Sequence, residues 1–175
     1  MEHITSFAFE TIHRHLATIS TDSSIRIWDD KTFAQIYDFR ASSEVPTCIS
    51  CHPRKPIFAC GFENGAVRFF SLSSTSLIHE YNQLTSQAVS VMFSPNAEYF
   101  VCSDNSGSLA LLSATNDQFD VIRVLPNVSV RDVSPNTTVV AFDDTGQRLA
   151  LIGPSEFLIT VMDGRSLDEV SDYIP

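Results

Sequence analysis

Short apolar runs separated by turn residues follow one another along the whole chain. They are rich in Val, Ile, Phe and Thr, a composition typical of β-strands. Two of the runs stop just before Pro53 and Pro95, and proline cannot continue a strand ladder. No stretch keeps a helical period long enough for a sizeable helix. The pattern therefore predicts an all-β protein.

The apolar runs recur as a repeating unit. Leu16–Ile19 matches Phe58–Gly61 after 42 residues, Phe100–Ser103 after a further 42, and Leu149–Ile152 after a further 49. Four strands per unit at this period are typical of the blades of a β-propeller. We therefore predict one segment, 1–175, of four consecutive four-stranded blades at about 4–44, 45–87, 88–125 and 137–175, with a linker at 126–136.

The first unit resembles the WD40 repeat, because it carries Trp28-Asp29 with Asp22 six residues before the tryptophan. In that family a Trp, a Ser or Thr, an Asp and a His from the preceding loop hydrogen-bond together. The resemblance implies structural roles for Thr18, Ser20, Asp22, Trp28 and Asp29. The histidine would precede residue 1, and the other units depart from the pattern. They place Phe70, Leu112 and Met162 at the Trp position, and Asn64, Ser106 and Glu156 at the Asp position.

We expect an open arc of WD40-like blades, a partial propeller, rather than a closed ring. The chain enters at a first strand near Ile4 and leaves at a fourth strand, so no overhanging strand is left to close a ring. A closed four-bladed ring is the alternative, since propellers have about 4–8 blades. An open arc predicts apolar flanks on blades one and four. It also predicts self-association, or completion by missing blades or a partner.

Charge narrows the classes of partner. The net charge is −10, which argues against binding of nucleic acid phosphates or of an anionic membrane surface. Neither a secretory signal nor an apolar run of about 18 residues is visible. We therefore expect a cytoplasmic protein with four reduced cysteines that binds other proteins.

Two groups of side chains have the spacing of a metal site. Cys48 and Cys51 are three residues apart on a predicted strand, so they point to opposite faces and are expected to be buried thiols. His13 and His15 could share one face and hold a metal, but a solvated turn is the favoured interpretation because the pattern offers them no third ligand. Neither a nucleophile elbow nor a phosphate loop is present. The sequence therefore predicts no enzyme, no catalytic residue, no cofactor and no metal.

A second resemblance is carried by short matches spread along the chain. They include Ile25–Asp29, Tyr37–Phe39, Cys60–Phe62, Gly65–Arg68 and Gly153–Ser155. Together these are similar to a propeller segment of the centriolar WD-repeat scaffold family, the proteome-of-centriole type. The resemblance implies a non-catalytic scaffold of the centriole, basal body or cilium, with centriolar or microtubule-associated proteins as partners. The alternative is a generic WD40 adaptor that presents peptides to an enzyme complex such as a ubiquitin ligase.

Overall fold

The computed structural model describes residues 3–40, 44–135 and 137–173, and of Arg40 and residues 171–173 the backbone only. Within those ranges the secondary structure is entirely strands, as the apolar pattern predicts. Residues 1–2 and 174–175, at the two ends of the predicted segment, lie outside the described part. So do residues 41–43 of blade one and residue 136 of the linker. Among the described residues no helix exists that could cross a membrane.

Each predicted unit forms one antiparallel sheet whose four strands pair in chain order. Blade one consists of β1 (Ile4–Glu10), β2 (His15–Ser20), β3 (Ser24–Asp29) and β4 (Gln35–Arg40). Blade two consists of β5 (Pro46–Cys51), β6 (Ile57–Phe62), β7 (Val67–Ser71) and β8 (Ser76–Tyr81). Blade three consists of β9 (Ala88–Phe93), β10 (Tyr99–Asp104), β11 (Leu109–Ser113) and β12 (Val121–Leu125). Blade four consists of β13 (Val140–Phe142), β14 (Arg148–Ile152), β15 (Ile159–Asp163) and β16 (Glu169–Tyr173).

The hydrophobic core lies between the blades, in three clusters. Ile19 and Ile27 of blade one pack with Phe58 and Phe62 of blade two. A second cluster joins blades two and three, and a third joins blades three and four. In the described part of the chain each sheet stays separate and the blades do not close into a ring. The expected open arc of four blades is confirmed.

Strand β6 shows why some apolar runs do not alternate. Every residue of Ile57–Phe62 is buried. Phe58 and Cys60 belong to the cluster with blade one, whereas Ile57 and Ala59 belong to the cluster with blade three. Successive side chains of a strand point to opposite faces, so a strand covered on both sides needs apolar residues at every position.

An equivalent side chain closes the first hairpin of each blade, at Glu10, His52, Ser94 and Asp143. Each accepts a hydrogen bond from a backbone N–H of the following turn or of the first residue of the next strand. His52, for example, accepts at Nδ1 from Arg54 and Lys55, both at 3.0 Å. Four different residue types therefore accept equivalent hydrogen bonds, so a search for identical residues does not find this position.

The segment between blades three and four crosses from one blade to the other. Val128 and Ser129 donate backbone hydrogen bonds of 2.9 and 3.0 Å to the carbonyl of Gly107 in blade three. Val130 donates one of 3.0 Å to the carbonyl of Ile152 in blade four. Gly107 has a φ of +88°, and a Cβ there would lie 2.6 Å from the Ser129 oxygen. Only glycine allows this close approach.

Candidate interaction surface

The outward face of blade one is apolar and exposed. Phe7 and Phe9 are 63% and 60% exposed, and they contact one another edge to face with ring centroids 6.4 Å apart. Ala8 between them points the other way and packs on the core shared with blade two. Strand alternation therefore divides β1 into a covered face and an open one. We call the face that carries Phe7, Phe9, Leu16, Trp28 and the buried Thr18 the blade-one flank.

Strand register places these side chains beside one another. Phe7 pairs with Thr18 and Phe9 with Leu16 across β1 and β2, and Leu16 pairs with Trp28 across β2 and β3. Directly paired residues of antiparallel strands project on the same face. A groove lies beside them, lined by Phe9, Leu16, Trp28, Asp29, Asp30 and Phe33. Phe33 is 80% exposed, so the apolar area extends beyond the sheet.

The same five positions are covered in every other blade. In blade two they are Ile49, Cys51, Phe58, Cys60 and Phe70, all in the cluster shared with blade one. In blade three they are Val91, Phe93, Phe100, Cys102 and Leu112, all in the cluster shared with blade two. In blade four they are Val140, Phe142, Leu149, Leu151 and Met162, all in the cluster shared with blade three. The blade-one flank is thus the face that a preceding blade covers elsewhere.

The five residues implied by the WD40 resemblance divide into separate groups. Trp28 is half-buried on the blade-one flank, and its Nε1 donates a 2.9 Å hydrogen bond to Oγ1 of Thr18. Asp22 instead accepts from the backbone N–H and the hydroxyl of Ser24, at 3.0 and 2.5 Å, and from Arg26 at 2.6 Å. The hydrogen bond from the Ser24 hydroxyl is the main cause of a lowered pKa for Asp22. The structure brings Trp28 and Thr18 together, but not Asp22.

Ser20 and Asp29 serve the backbone. Ser20 is buried, and its Oγ accepts a 3.4 Å hydrogen bond from the backbone N–H of Asp22. Asp29 accepts from the backbone N–H groups of Lys31 and Thr32, at 3.1 and 2.7 Å. The hydrogen bond from the Thr32 backbone is the first cause of a lowered pKa for Asp29. Both side chains therefore hold turns of the first blade.

Asp104 is a structural residue that sequence reasoning missed. It is buried, and one carboxylate oxygen accepts from the backbone N–H groups of Ser106 and Ser108 at 3.1 and 3.0 Å. The other oxygen accepts from the N–H of Thr85 at 2.9 Å and that of Ser86 at 3.2 Å. Burial opposes its ionisation, but these hydrogen bonds outweigh burial and lower the pKa of Asp104. One carboxylate thus ties a turn of blade three to the connection from blade two.

The turn-capping carboxylate of blade three, Asp104, stands two residues earlier in the repeat than Asp22, the corresponding carboxylate of blade one. Ser106 occupies the position equivalent to Asp22, whereas Asp104 occupies the position equivalent to Ser20. In blade two the capping side chain is Asn64, at the position equivalent to Asp22. Its side-chain carbonyl accepts a 3.0 Å hydrogen bond from the backbone N–H of Ala66. The signal that could have identified Asp104 is its position immediately before the Asn105–Gly107 turn, where carboxylates cap backbone N–H groups.

The cysteines are free, and three of them are fully buried. Cys48 packs in the cluster with blade three, while Cys51 packs against the cluster with blade one. The two therefore lie on opposite faces of β5, as strand geometry predicts. Burial raises the pKa of both thiols to about 12. Since the thiolate is the nucleophile and the metal ligand, these side chains are suited to packing rather than to chemistry.

Comparisons with known proteins agree with this geometry. Residues 8–172 match the family described as WDR90/POC16, second beta-propeller. WD repeat-containing protein 90 of Xenopus tropicalis is 39% identical over 165 residues, which cover 94% of this chain and 9% of that protein. The Homo sapiens protein of that name is 35% identical over 167 residues, covering 95% of this chain and 10% of that protein. The chain spans about a tenth of the length of these relatives. It belongs to the WDR90/POC16 second beta-propeller family and is a WD-repeat protein-interaction module.

Proposed function

We propose that this propeller segment serves as a non-catalytic scaffold in centriole, basal body or cilium assembly, and that a further WD40 blade covers the blade-one flank. Family membership supports the first part, since the resemblance in the sequence implies a centriolar scaffold with protein partners in the cytoplasm and cytoskeleton. The second part rests on the equivalence of the flank positions among the four blades.

The occupant follows from the chemistry of the flank. Phe58 and Phe100, equivalent to Leu16, are 0% exposed because the preceding blade packs on them. Phe7 is 63% exposed, whereas its equivalents Ile49, Val91 and Val140 are buried in all three other blades. Phe9 is 60% exposed, and its equivalents are buried or half-buried. Large exposed apolar patches mark interaction sites. A blade of the same repeat has the complementary shape and spacing, and the relatives are about ten times longer than this chain.

The proposal implies a longer, full-length protein in which a further blade accompanies this chain, and protection of the flank in that protein tests the proposed occupant. Phe7→Cys introduces a reactive thiol on the flank, and Leu77→Cys introduces a control thiol at an exposed position of the outer strand β8. We expect a maleimide to label both cysteines in the 175-residue chain, but only the Leu77→Cys thiol in the full-length protein. Equal labelling of the Phe7→Cys thiol in both proteins would show that no blade covers the flank.

Localisation tests the cellular part of the proposal. The full-length protein, tagged at its own locus in a ciliated cell line, is expected to co-localise with centriolar markers and to co-purify with centriolar or microtubule-associated proteins. A diffuse cytoplasmic signal, with co-purification of a ubiquitin ligase, would instead support the adaptor alternative. This result is independent of the labelling experiment, so either half of the proposal can fail alone.

A further inference from the structure

A carboxylate and two imidazoles converge at the first hairpin of blade one. The ligand atoms of Glu10, His13 and His15 all lie within 4.8 Å of one another. Oε2 of Glu10 is 3.4 Å from Nδ1 of His13 and 3.8 Å from Nδ1 of His15. The two imidazole rings are stacked, with centroids 5.6 Å apart and planes inclined by 23°. Both nitrogens therefore approach the same carboxylate oxygen.

The backbone explains why these side chains meet. Glu10 ends β1 and pairs directly with His15 at the start of β2. Arg14 between the histidines has a φ of +61°, in the left-handed region. Its guanidinium turns away to Asp30, with an Nε to Oδ2 distance of 2.8 Å. The tight turn thus places His13 and His15 on one side and removes the neighbouring cation from it.

The carboxylate is fixed in place before any ligand arrives. The Glu10 side chain is 0% exposed, and its oxygens accept hydrogen bonds from the backbone N–H groups of Ile12 and His13, at 2.5 and 2.9 Å. Nδ1 of His15 is shielded from solvent and has no hydrogen-bond partner among the described residues. A buried nitrogen without a partner is costly, and this one faces a buried carboxylate, so a cation between the two groups would bind both.

We propose that Glu10, His13 and His15 form a zinc-binding site. Zinc is held at about 2.0–2.2 Å by imidazole nitrogen and carboxylate oxygen, so its tetrahedral ligands lie about 3.3–3.6 Å from one another. The Glu10–His13 distance of 3.4 Å already fits, and the Glu10–His15 distance of 3.8 Å is only slightly longer. The His13 side chain is 48% exposed, so it has room to rotate toward His15. Two nitrogen ligands favour zinc over magnesium or calcium, which prefer oxygen. The exposed side of His13 leaves room for water as a fourth ligand.

The site differs from what the sequence led us to expect. The sequence favours a solvated turn at His13 and His15, because its pattern offers them no third ligand. Glu10 stands three residues before His13, at the end of a strand whose sequence pattern does not differ from that of the other strands. Its carboxylate reaches the imidazoles only because β1 and β2 pair at that position.

Zinc titration of the metal-free 175-residue chain tests the site. In competition with a chromophoric chelator we expect one Zn²⁺ per chain, and Co²⁺ should give the visible absorption of a tetrahedral site. His13→Ala, at a half-exposed side chain, should preserve the fold and weaken zinc binding at least about tenfold. Zinc should raise the melting temperature of the parent chain but not that of this variant.

Two control variants separate this site from other ligands. His3→Ala removes an exposed histidine outside the site, and Cys51→Ser removes the half-buried thiol. Both should bind zinc as the parent does. The proposal is overturned if the parent chain binds no zinc, if His13→Ala binds as tightly as the parent, or if Cys51→Ser abolishes binding.

Discussion

The indole nitrogen of Trp28 donates a 2.9 Å hydrogen bond to the hydroxyl of Thr18 on the neighbouring strand of blade one. Both residues lie on the blade-one flank, whose equivalents in the other blades are buried under the preceding blade. The pair thus keeps part of the polar arrangement of a WD40 repeat on a face that is covered in the other three blades. The equivalent pairs in blades two and three, Cys60 with Phe70 and Cys102 with Leu112, pack by apolar contact instead.

A double-mutant cycle measures this hydrogen bond. Thr18→Val removes the acceptor and should cost about 1–2 kcal/mol of unfolding free energy, because the indole N–H then loses its partner. Trp28→Phe removes the donor and keeps an aromatic ring. We expect a coupling of about 1 kcal/mol between the two substitutions in denaturant unfolding. Additive effects would show that the hydrogen bond does not stabilise the blade.

Replacing Asp104 should weaken the junction of blades two and three. Asp104→Asn loses the charge-assisted hydrogen bonds to the backbone of Thr85, Ser86, Ser106 and Ser108, and should cost about 2–3 kcal/mol. The control is Asp144→Asn, an exposed carboxylate in a turn of blade four, which should be neutral within about 0.5 kcal/mol. Urea unfolding of both variants measures the difference. Similar stabilities for the two variants would contradict the structural role of Asp104.

Acid should remove the contribution of Asp104. Its folded-state pKa is lowered, so the folded state favours the ionised form more than the unfolded state does. The stabilisation is therefore complete above the unfolded pKa of about 3.9 and is lost as the pH falls through the folded pKa. We expect the difference in stability between the parent and Asp104→Asn to be constant near neutral pH and to shrink below about pH 4. A difference that persists unchanged into acid would contradict this sign.

The close approach at Gly107 predicts a local effect on blade four. Gly107→Ala places a methyl group against the Ser129 carbonyl at a φ of +88°, and should cost roughly 1–3 kcal/mol. Hydrogen exchange should accelerate most at Val130, whose N–H bonds the Ile152 carbonyl across the linker. Amides in the middle of β2 serve as the internal reference. Uniform acceleration throughout the chain would show that the linker does not form a separate junction.

The strands could be predicted from the sequence because each blade repeats the same spacing of apolar runs. Which face of blade one stays exposed could not be predicted from the sequence, because the blade is apolar on both faces. Ile25 and Ile27 on one face and Phe7 and Phe9 on the other give similar patterns. Only the packed structure shows that blade two covers Ile25 and Ile27 but not Phe7 and Phe9.

The polar residues were harder to predict than the strands. Thr18 and Trp28 were found through the WD40 resemblance, and the structure joins them. Asp104 and Glu10 were missed because their roles depend on partners brought close by strand pairing and by the turns. Side chains that differ in type, such as Glu10 and His52, perform the same capping, so identity at equivalent positions does not reveal them.

Sedimentation velocity of the 175-residue chain tests the central claim, that the blade-one flank is an exposed apolar face that binds another protein surface. We predict concentration-dependent self-association that the combined Phe7→Ser and Phe9→Ser substitutions reduce, while Leu77→Ser at an exposed position of β8 leaves it unchanged. A parent chain that stays monomeric at every concentration, or association that is insensitive to the flank substitutions, would contradict the account.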